Sequence, residues 1–574
     1  MADLLSISTA TAKRWLNSNI DEDSKKKVRE LLAGDDNKKL IDSFYRSLEF
    51  GTGGLRGIMG VGSNCINQYT IGVATQGLAN YLNKSFPNQP IHVAIAHDSR
   101  NHSRYFAEVT ANVFSANGIM VHLFPELRPT PLLSYAIRYL KCQSGVVITA
   151  SHNPKEYNGY KAYWSDGAQL VPPHDANVMN EVNAIASFDQ VKFTADPSKI
   201  KSIGPEVEEA YYQEVIKLIP RQISIQKQKD ISLVYSSLHG AGITMVPECL
   251  TRLGFQNINI VEEQRVPDGN FPTVASPNPE ERATMSMALD KAKALNADLV
   301  MATDPDTDRV GIGIKDDAGE FFLLNGNQAL SLMVWFILKN LKSKENSYLA
   351  KTIVTSDLID KMAEEIGIEC INTLTGFKYI AELIRDNEGK KKFIVAGEES
   401  YGYMVGDFVR DKDAVSACAF FAAMAAAAKD DGKSLYEWLM EMYVEYGLFR
   451  EALVNVVRKG AEGEQQIKDM MNKFRTNPPY IIAGEKVVKT FDYQTSEEKS
   501  LLTGHIQKIN QPKSDVLQFV TWEGAKISVR PSGTEPKIKF YISVNTKLDH
   551  PGNIKLKIRE LDERIKAIER DFNQ

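Results

Sequence analysis

Three aspartates alternate in Asp304-Pro-Asp-Thr-Asp-Arg309, directly after the apolar run Leu299–Ala302. In an extended loop, residues two apart face the same side, and Pro305 biases Asp304 toward extended backbone. Carboxylates held that close repel one another unless a cation neutralises them, and hard oxygen ligands favour Mg²⁺. An EF-hand is excluded, because the loop's sixth position is Arg309 rather than glycine and its twelfth is Lys315 rather than glutamate. An acidic surface turn is the competing reading. A haloacid-dehalogenase-type aspartyl phosphatase is another, but it would need threonine where Asp308 stands.

Ser151 lies in Thr149-Ala-Ser-His-Asn-Pro154, with Lys161 following after Asn158-Gly159. A serine just past a buried strand can act as nucleophile or phosphate carrier. His152 and Asn153 can hydrogen-bond its oxygens, and Pro154 stiffens the turn. No Gly-x-Ser-x-Gly elbow supports a hydrolase. Serine, asparagine and proline also favour ordinary turns, so the local signal is ambiguous. Glu398, Glu399 and Ser400 follow the apolar Phe393–Ala396 and can share hydrogen bonds with vicinal sugar hydroxyls; a helix N-terminus would also favour early acids. Arg530-Pro-Ser-Gly-Thr534 joins a guanidinium fork, the Ser532 and Thr534 hydroxyls and an anion nest around Gly533, which together suit a phosphate. Gly51-Thr-Gly-Gly-Leu-Arg-Gly57 carries Arg56 but is not a P-loop, since no Gly-Lys-Ser/Thr closes it. Thr375-Gly376-Phe-Lys378 is a weaker candidate of the same kind.

These loops need elements to hold them. Three segments repeat a pattern of short β-branched runs and longer amphipathic stretches, ending in Gly145–Thr149, Asp298–Ala302 and Phe393–Ala396. Such alternation indicates βαβ units and a largely parallel sheet, with ligands bound beyond the carboxyl ends of the strands. The polar loops at Ser151, Asp304 and Glu398 each follow one of those last strands. The C-terminal region changes to charged helical runs around short strands such as Val516–Thr521 and Lys537–Val544, a smaller α+β domain. Residues 1–45 read as charged helix.

The chain has 574 residues, enough for about four domains. Its 68 Lys+Arg against 73 Asp+Glu give a net charge of -5, which argues against nonspecific nucleic-acid binding. Five scattered cysteines form no CxxC pair, so neither zinc nor a disulfide framework is indicated. The N-terminus does not read as a secretory signal. The most apolar stretch, Ala414–Ala428, is shorter than the ~20 residues that span a bilayer and reads as a buried helix.

Together the segments resemble the α-D-phosphohexomutase superfamily, specifically its phosphoglucomutase branch, from Phe50 to Tyr541 and in the family's order. The resemblance implies an α/β chain of four domains in a heart-shaped arrangement: three related mixed α/β sheet domains and the smaller α+β domain. The corresponding limits are 1–205, 206–323, 324–444 and 445–574. It implies that Ser151 carries a phosphate to a hexose monophosphate and takes the other phosphate back from a glucose 1,6-bisphosphate intermediate. The net reaction interconverts glucose 1-phosphate and glucose 6-phosphate. One Mg²⁺ per subunit would sit on Ser151, Asp304, Asp306 and Asp308. Arg56, Lys161 and Lys378 would serve catalysis. His152, Arg309, Thr375, Gly376, Glu398, Ser400, Arg530, Ser532, Gly533 and Thr534 would bind substrate. A cytoplasmic monomer or homodimer acting on sugar phosphates, with no membrane or nucleic-acid partner, is the implied setting. Pro305 and Thr307 stand where many relatives carry glycines, and Gly406–Asp413 is similar to the subgroup that includes phosphopentomutases. Pentose and mannose phosphates therefore stay open as substrates. The basic residues together predict a cationic cleft in an acidic protein.

Overall fold

Apolar strands of four to eight residues, each followed by a longer amphipathic stretch, can bury both faces only in a sheet covered by helices. The computed structural model describes residues 2–34, 36–48, 54–458, 460–532 and 537–572. The chain forms two compact units, Met1–Gly326 with Gly376–Gly432, and Asn327–Thr375 with Lys433–Gln574.

The first unit opens with helices Ala2–Leu16, Glu22–Ala33 and Asn37–Phe44. Their apolar faces meet around Trp15, Phe44 and Tyr69, with Phe188 packed against them. A six-stranded sheet follows, in the spatial order Leu55–Ile58, Tyr157–Trp164, Ser144–Ile148, His92–His97, Met120–Leu123, Ile200–Ser202. The last four are parallel, and Tyr157–Trp164 runs antiparallel to both its neighbours. A five-stranded sheet is ordered Phe321–Leu324, Val310–Lys315, Leu299–Thr303, Leu233–Ser236, Ile258–Ile260. A third pair, Lys392–Glu398 and Gly402–Val405, is antiparallel, with Glu398 opposite Gly402.

The sheets are thus more mixed than the sequence pattern suggests. After each chemically interesting loop the chain turns back beside the strand it has just left. Val147 faces Lys161 across the first return, and Thr303 faces Val310 across the second. The return strands are as apolar as parallel ones because helices cover both faces, so alternation cannot reveal their direction. Gly159 is required in the first return strand: a Cβ there would lie 2.5 Å from Thr149 O and 2.6 Å from Leu55 O. The stretch Ala414–Asp430 is a helix whose residues are buried throughout Ala414–Ala428, as its composition demands. Asp413 caps it, accepting from Val415 and Ser416 N–H. Among the described residues no helix is long and apolar enough to cross a membrane.

The second unit contains the parallel strands Ser347–Thr352 and Glu369–Thr373 joined by helix Leu358–Ile366. It also contains an antiparallel sheet ordered Leu448–Val457, Lys537–Thr546, Lys526–Pro531, Leu517–Thr521, Glu485–Asp492, Glu497–Ser500, Ile506–Lys508. Helices Gly460–Thr476 and Ile554–Phe572 accompany it. Phe572 stacks on Phe519 and packs at a tilt against Phe474 and Phe540. Lys351, fully buried, lies 2.9 Å from Asp360 and 3.3 Å from Asp357, and Lys526 shares Asp357. That buried ion network fixes the start of the strand whose far end carries Arg530.

Candidate active site

Three hairpin tips of the first unit converge. The turn between Ser144–Ile148 and Tyr157–Trp164 carries Ser151, which is buried. Its N–H donates to Thr149 Oγ1 (2.8 Å), and its hydroxyl donates to Asp304 Oδ2 (2.9 Å) on the second tip. His152 Nδ1 is 3.3 Å from Ser151 Oγ. Burial first, then the nearby Arg309 and Arg56, hold the His152 imidazole well below its usual pKa, so it is neutral at physiological pH. Arg56 is exposed and donates to Asn153 Oδ1 (3.3 Å). Each tip holds one non-glycine residue at positive φ: Ser151 at 53°, Thr307 at 59° and Tyr401 at 65°. That region is sparsely populated for such residues, and strain of this kind clusters at functional sites.

Asp304, Asp306 and Asp308 are buried, and one carboxylate oxygen from each lies within 4.8 Å of the others. Asp304 Oδ1 accepts the N–H groups of Asp308 and Arg309 (3.1 and 3.0 Å). Asp306 Oδ2 accepts from Thr130 (3.0 Å) and Lys161 (2.8 Å). Asp308 Oδ2 is 3.2 Å from both Lys161 and Lys412. Asp306 Oδ1 and Asp308 Oδ1 are buried without a hydrogen-bond partner. Unsatisfied anionic oxygens beside a third carboxylate fit a hard divalent cation.

Burial, with the like charges of Asp306 and Asp308, pushes Asp304 well up. Burial works on Asp308 too, but Lys412, Lys161 and Arg309 outweigh it and hold that carboxyl well below its usual range. Burial disfavours the Lys161 charge, yet Asp306 and Asp308 raise its pKa overall. Lys161 is therefore a fixed positive charge rather than a ready proton donor. Arg309 is engaged by Glu280 (2.5 Å), with Asp308 3.8 Å away.

The third tip carries Glu398 and Ser400, and it is a hairpin turn, not a helix N-terminus. Glu398 Oε1 accepts the Gly376 N–H (3.0 Å). Burial pushes its carboxyl up to about 7, Glu399 adds to that, and Lys412 and Arg309 pull the other way. Ser400 is half-exposed. Lys378 is buried, and its ion pair is with Asp175 (3.9 Å), on helix His174–Asn183.

In the second unit Thr375 Oγ1 is buried without a partner. Arg530 closes the strand Lys526–Pro531, and the Ser532 N–H donates to Lys537 O (2.8 Å). Gly533 and Thr534 lie outside the described residues, as do Gly51, Thr52 and Gly53.

Sequence reasoning passed over Lys412, Asp411 and Glu280. Lys412 sits between Asp308 and Asp411 (3.2 and 2.9 Å), and Asp411 also accepts from Tyr163 (2.7 Å) and Gln169 (2.8 Å). A signal existed: Arg410-Asp-Lys-Asp413 is a dense charge run abutting a wholly apolar helix, and buried charge needs partners. The cationic cleft needs correction as well. Lys161, Lys412 and Arg309 are each paired with a carboxylate, so the site is a lattice of opposite charges.

Comparison with known proteins places this geometry. Four descriptions of the phosphoglucomutase/phosphomannomutase family match in order: alpha/beta/alpha domain I over 47–189, domain II over 209–319, domain III over 325–446 and the C-terminal domain over 494–547. A phosphoglucomutase of Staphylococcus haemolyticus is 38% identical over 502 residues, 88% of this chain and 91% of that protein. One of Staphylococcus epidermidis is 35% identical over 548 residues, 95% of this chain and 99% of its own. Among solved structures, the Paramecium exocytosis-sensitive phosphoprotein parafusin, a phosphoglucomutase in its open form, matches with TM-score 0.67 at 19% identity, covering 91% of this chain and 96% of that one. A phosphoglucomutase/phosphomannomutase family protein of Burkholderia thailandensis matches with TM-score 0.65 at 16% identity, covering 90% and 97%. These two share the fold: three α/β domains followed by a β-rich C-terminal domain. With all four domains matched in order and curated relatives aligned over most of their length, the chain belongs to the phosphoglucomutase/phosphomannomutase family.

Proposed function

We propose that this mutase is a phosphoglucomutase, interconverting glucose 1-phosphate and glucose 6-phosphate through a phosphoserine at Ser151 and a glucose 1,6-bisphosphate intermediate. The observation that carries the reading is the 2.9 Å contact between Ser151 Oγ and Asp304 beside two unsatisfied buried carboxylate oxygens. It supports a phosphoryl carrier next to a cation site. Asp304, Asp306 and Asp308 would hold one Mg²⁺, which when bound supplies charge stabilisation to the phosphoryl group. Phosphoryl transfer asks mainly for positioning and charge compensation. Lys161 supplies a fixed charge, and Arg56, joined to Asn153, sits on the flank of the serine loop. His152, neutral, can donate to or accept from an oxygen on Ser151. Glu398, with Ser400, reads the sugar hydroxyls; Arg309, Thr375 and Gly376 contribute to substrate binding. Arg530 and Ser532, together with Gly533 and Thr534, take the phosphate that is not being transferred. Lys378 is assigned to catalysis on its motif alone. The four functional domains are taken as 1–205, 206–323, 324–444 and 445–574.

The test compares kcat/KM for glucose 1-phosphate, mannose 1-phosphate and ribose 1-phosphate in wild type and Ser151→Ala. Glucose is expected to lead, and the variant should lose nearly all turnover. A strong pentose preference would move the assignment to phosphopentomutase, and an active Ser151→Ala would remove the carrier.

A further inference from the structure

Arg100 is a buried guanidinium that no part of the chemistry above uses. Its Nη1 donates to Pro154 O (2.9 Å) and Tyr157 O (3.1 Å). Its Nη2 donates to Ser151 O (2.6 Å) and to Asn153 O. One side chain therefore gathers four carbonyls of the single turn that carries the nucleophile. Its Nε lies 3.3 Å from Asp98 Oδ2. That same carboxylate oxygen accepts from Thr149 Oγ1 (2.7 Å), and Thr149 Oγ1 accepts the Ser151 N–H (2.8 Å). Asp98 Oδ1 is held by Ser103 (2.6 Å) and by the Arg100 N–H (2.9 Å). Ser151 is thus gripped from both backbone sides, its carbonyl by Arg100 and its N–H through Thr149 and Asp98.

The guanidinium also meets an aromatic ring: its Cζ lies over Phe271, 5.1 Å from the ring centroid. Gly269 packs so closely that a Cβ there would be 2.2 Å from Asn101 N. Only a planar fork with five donors can serve carbonyls pointing in these directions; an ammonium of similar reach has one donor centre. The turn needs such a clamp, because it holds Ser151 at a φ of 53°, where serine does not rest unaided.

We propose that Arg100 is the positioning residue of the phosphoryl carrier: through four backbone carbonyls it holds the Ser151 turn, and hence Oγ, in the transfer geometry. This rests on the reading of Ser151 as carrier. Arg100 touches no reacting atom in this role, so its loss acts on transfer rather than on substrate affinity.

The experiment uses the full-length enzyme with glucose 1-phosphate and glucose 1,6-bisphosphate. Arg100→Lys keeps the charge and loses the fork. Its kcat is expected to fall about 100-fold while KM stays within about threefold, as for a misplaced reacting group. Amide exchange should quicken in residues 149–157 with the rest of the chain unchanged. In Arg100→Ala, millimolar guanidinium should restore turnover where equal ammonium does not. A kcat within about threefold of wild type would overturn the proposal. So would an activity loss matched by a lower folded fraction with unchanged exchange at 149–157, which also decides the matter if Arg100→Ala does not fold. Ser151→Ala run alongside separates the two ideas: turnover surviving there defeats the carrier reading itself, whatever Arg100 does.

Discussion

Replacing Glu398 by glutamine should make the protein more stable and less active. The carboxyl is buried at the end of its strand and titrates at about 7, against an ordinary 4.5. Each pH unit of such a gap is worth about 1.4 kcal/mol, so the burial cost of the charged form is about 3 kcal/mol. The sign follows from proton binding. Between pH 4.5 and about 7 the unfolded chain has released this proton and the folded chain has kept it. The group's contribution is therefore fully present below 4.5 and is lost as pH rises through about 7. Glutamine has the same shape and keeps an oxygen for the Gly376 N–H, but it never ionises. The stability of Glu398→Gln relative to wild type should then climb from near zero at pH 4.5 to about 3 kcal/mol at pH 8. Urea unfolding of the metal-free proteins across that range measures it. With Glu398 in its proposed sugar-reading role, the same change weakens a charge-assisted hydrogen bond worth about 1.5–3 kcal/mol, so kcat/KM should fall roughly 10- to 150-fold. A stability difference flat across pH, or a variant less stable than wild type at pH 8, would refute the reasoning.

Lys161→Met leaves Asp306 without its buried ammonium and Asp308 with Lys412 alone, and should cost about 3–5 kcal/mol of metal-free stability. Mg²⁺ should recover part of it, and equal losses with and without Mg²⁺ would count against the shared site. Gly159→Ala forces a Cβ to 2.5 Å from Thr149 O and should destabilise by about 1–3 kcal/mol, seen as a lower unfolding midpoint; an unchanged midpoint would mean the strand can shift freely. Exhaustive chelation should abolish turnover while circular dichroism stays constant, and added Mg²⁺ should restore it. Turnover that survives chelation contradicts the cation role of the three aspartates.

The sequence marked the residues that the structure brings together more clearly than it marked their geometry. Asp304, Asp306 and Asp308 were readable because alternating carboxylates behind an apolar strand have few other uses, and Ser151 because its loop stands at an equivalent place in the preceding repeat. The return strands were not readable. Tyr157–Trp164 is buried on both faces, so its composition says strand without saying which way it runs. Lys161 was placed near the site on its sequence proximity to Ser151, but its partners, Asp306 and Asp308, are 145 and 147 residues away in the chain. Lys412 was missed because the run Arg410–Asp413, buried throughout, marks charge that needs partners without saying which distant carboxylate each member meets. Lys378 follows a glycine at a helix start, as its motif asks, and its partner Asp175 is again far away in the chain.

The paired lysines bear on how one site serves both halves of a phosphoryl exchange. A phosphoserine brings a charge of about −1.5 to −2, and a divalent cation brings the opposite. On the proposed reading, loading Ser151 and the aspartates together therefore changes the local charge little. Lys161 and Lys412 can stay on Asp306, Asp308 and Asp411 whether the phosphate rests on the enzyme or on the sugar. A truly cationic cleft would bind the bisphosphate tightly and release its products slowly. A balanced lattice holds the reacting groups in place without favouring either end of the exchange, and it does so only because every lysine in it already has a carboxylate partner.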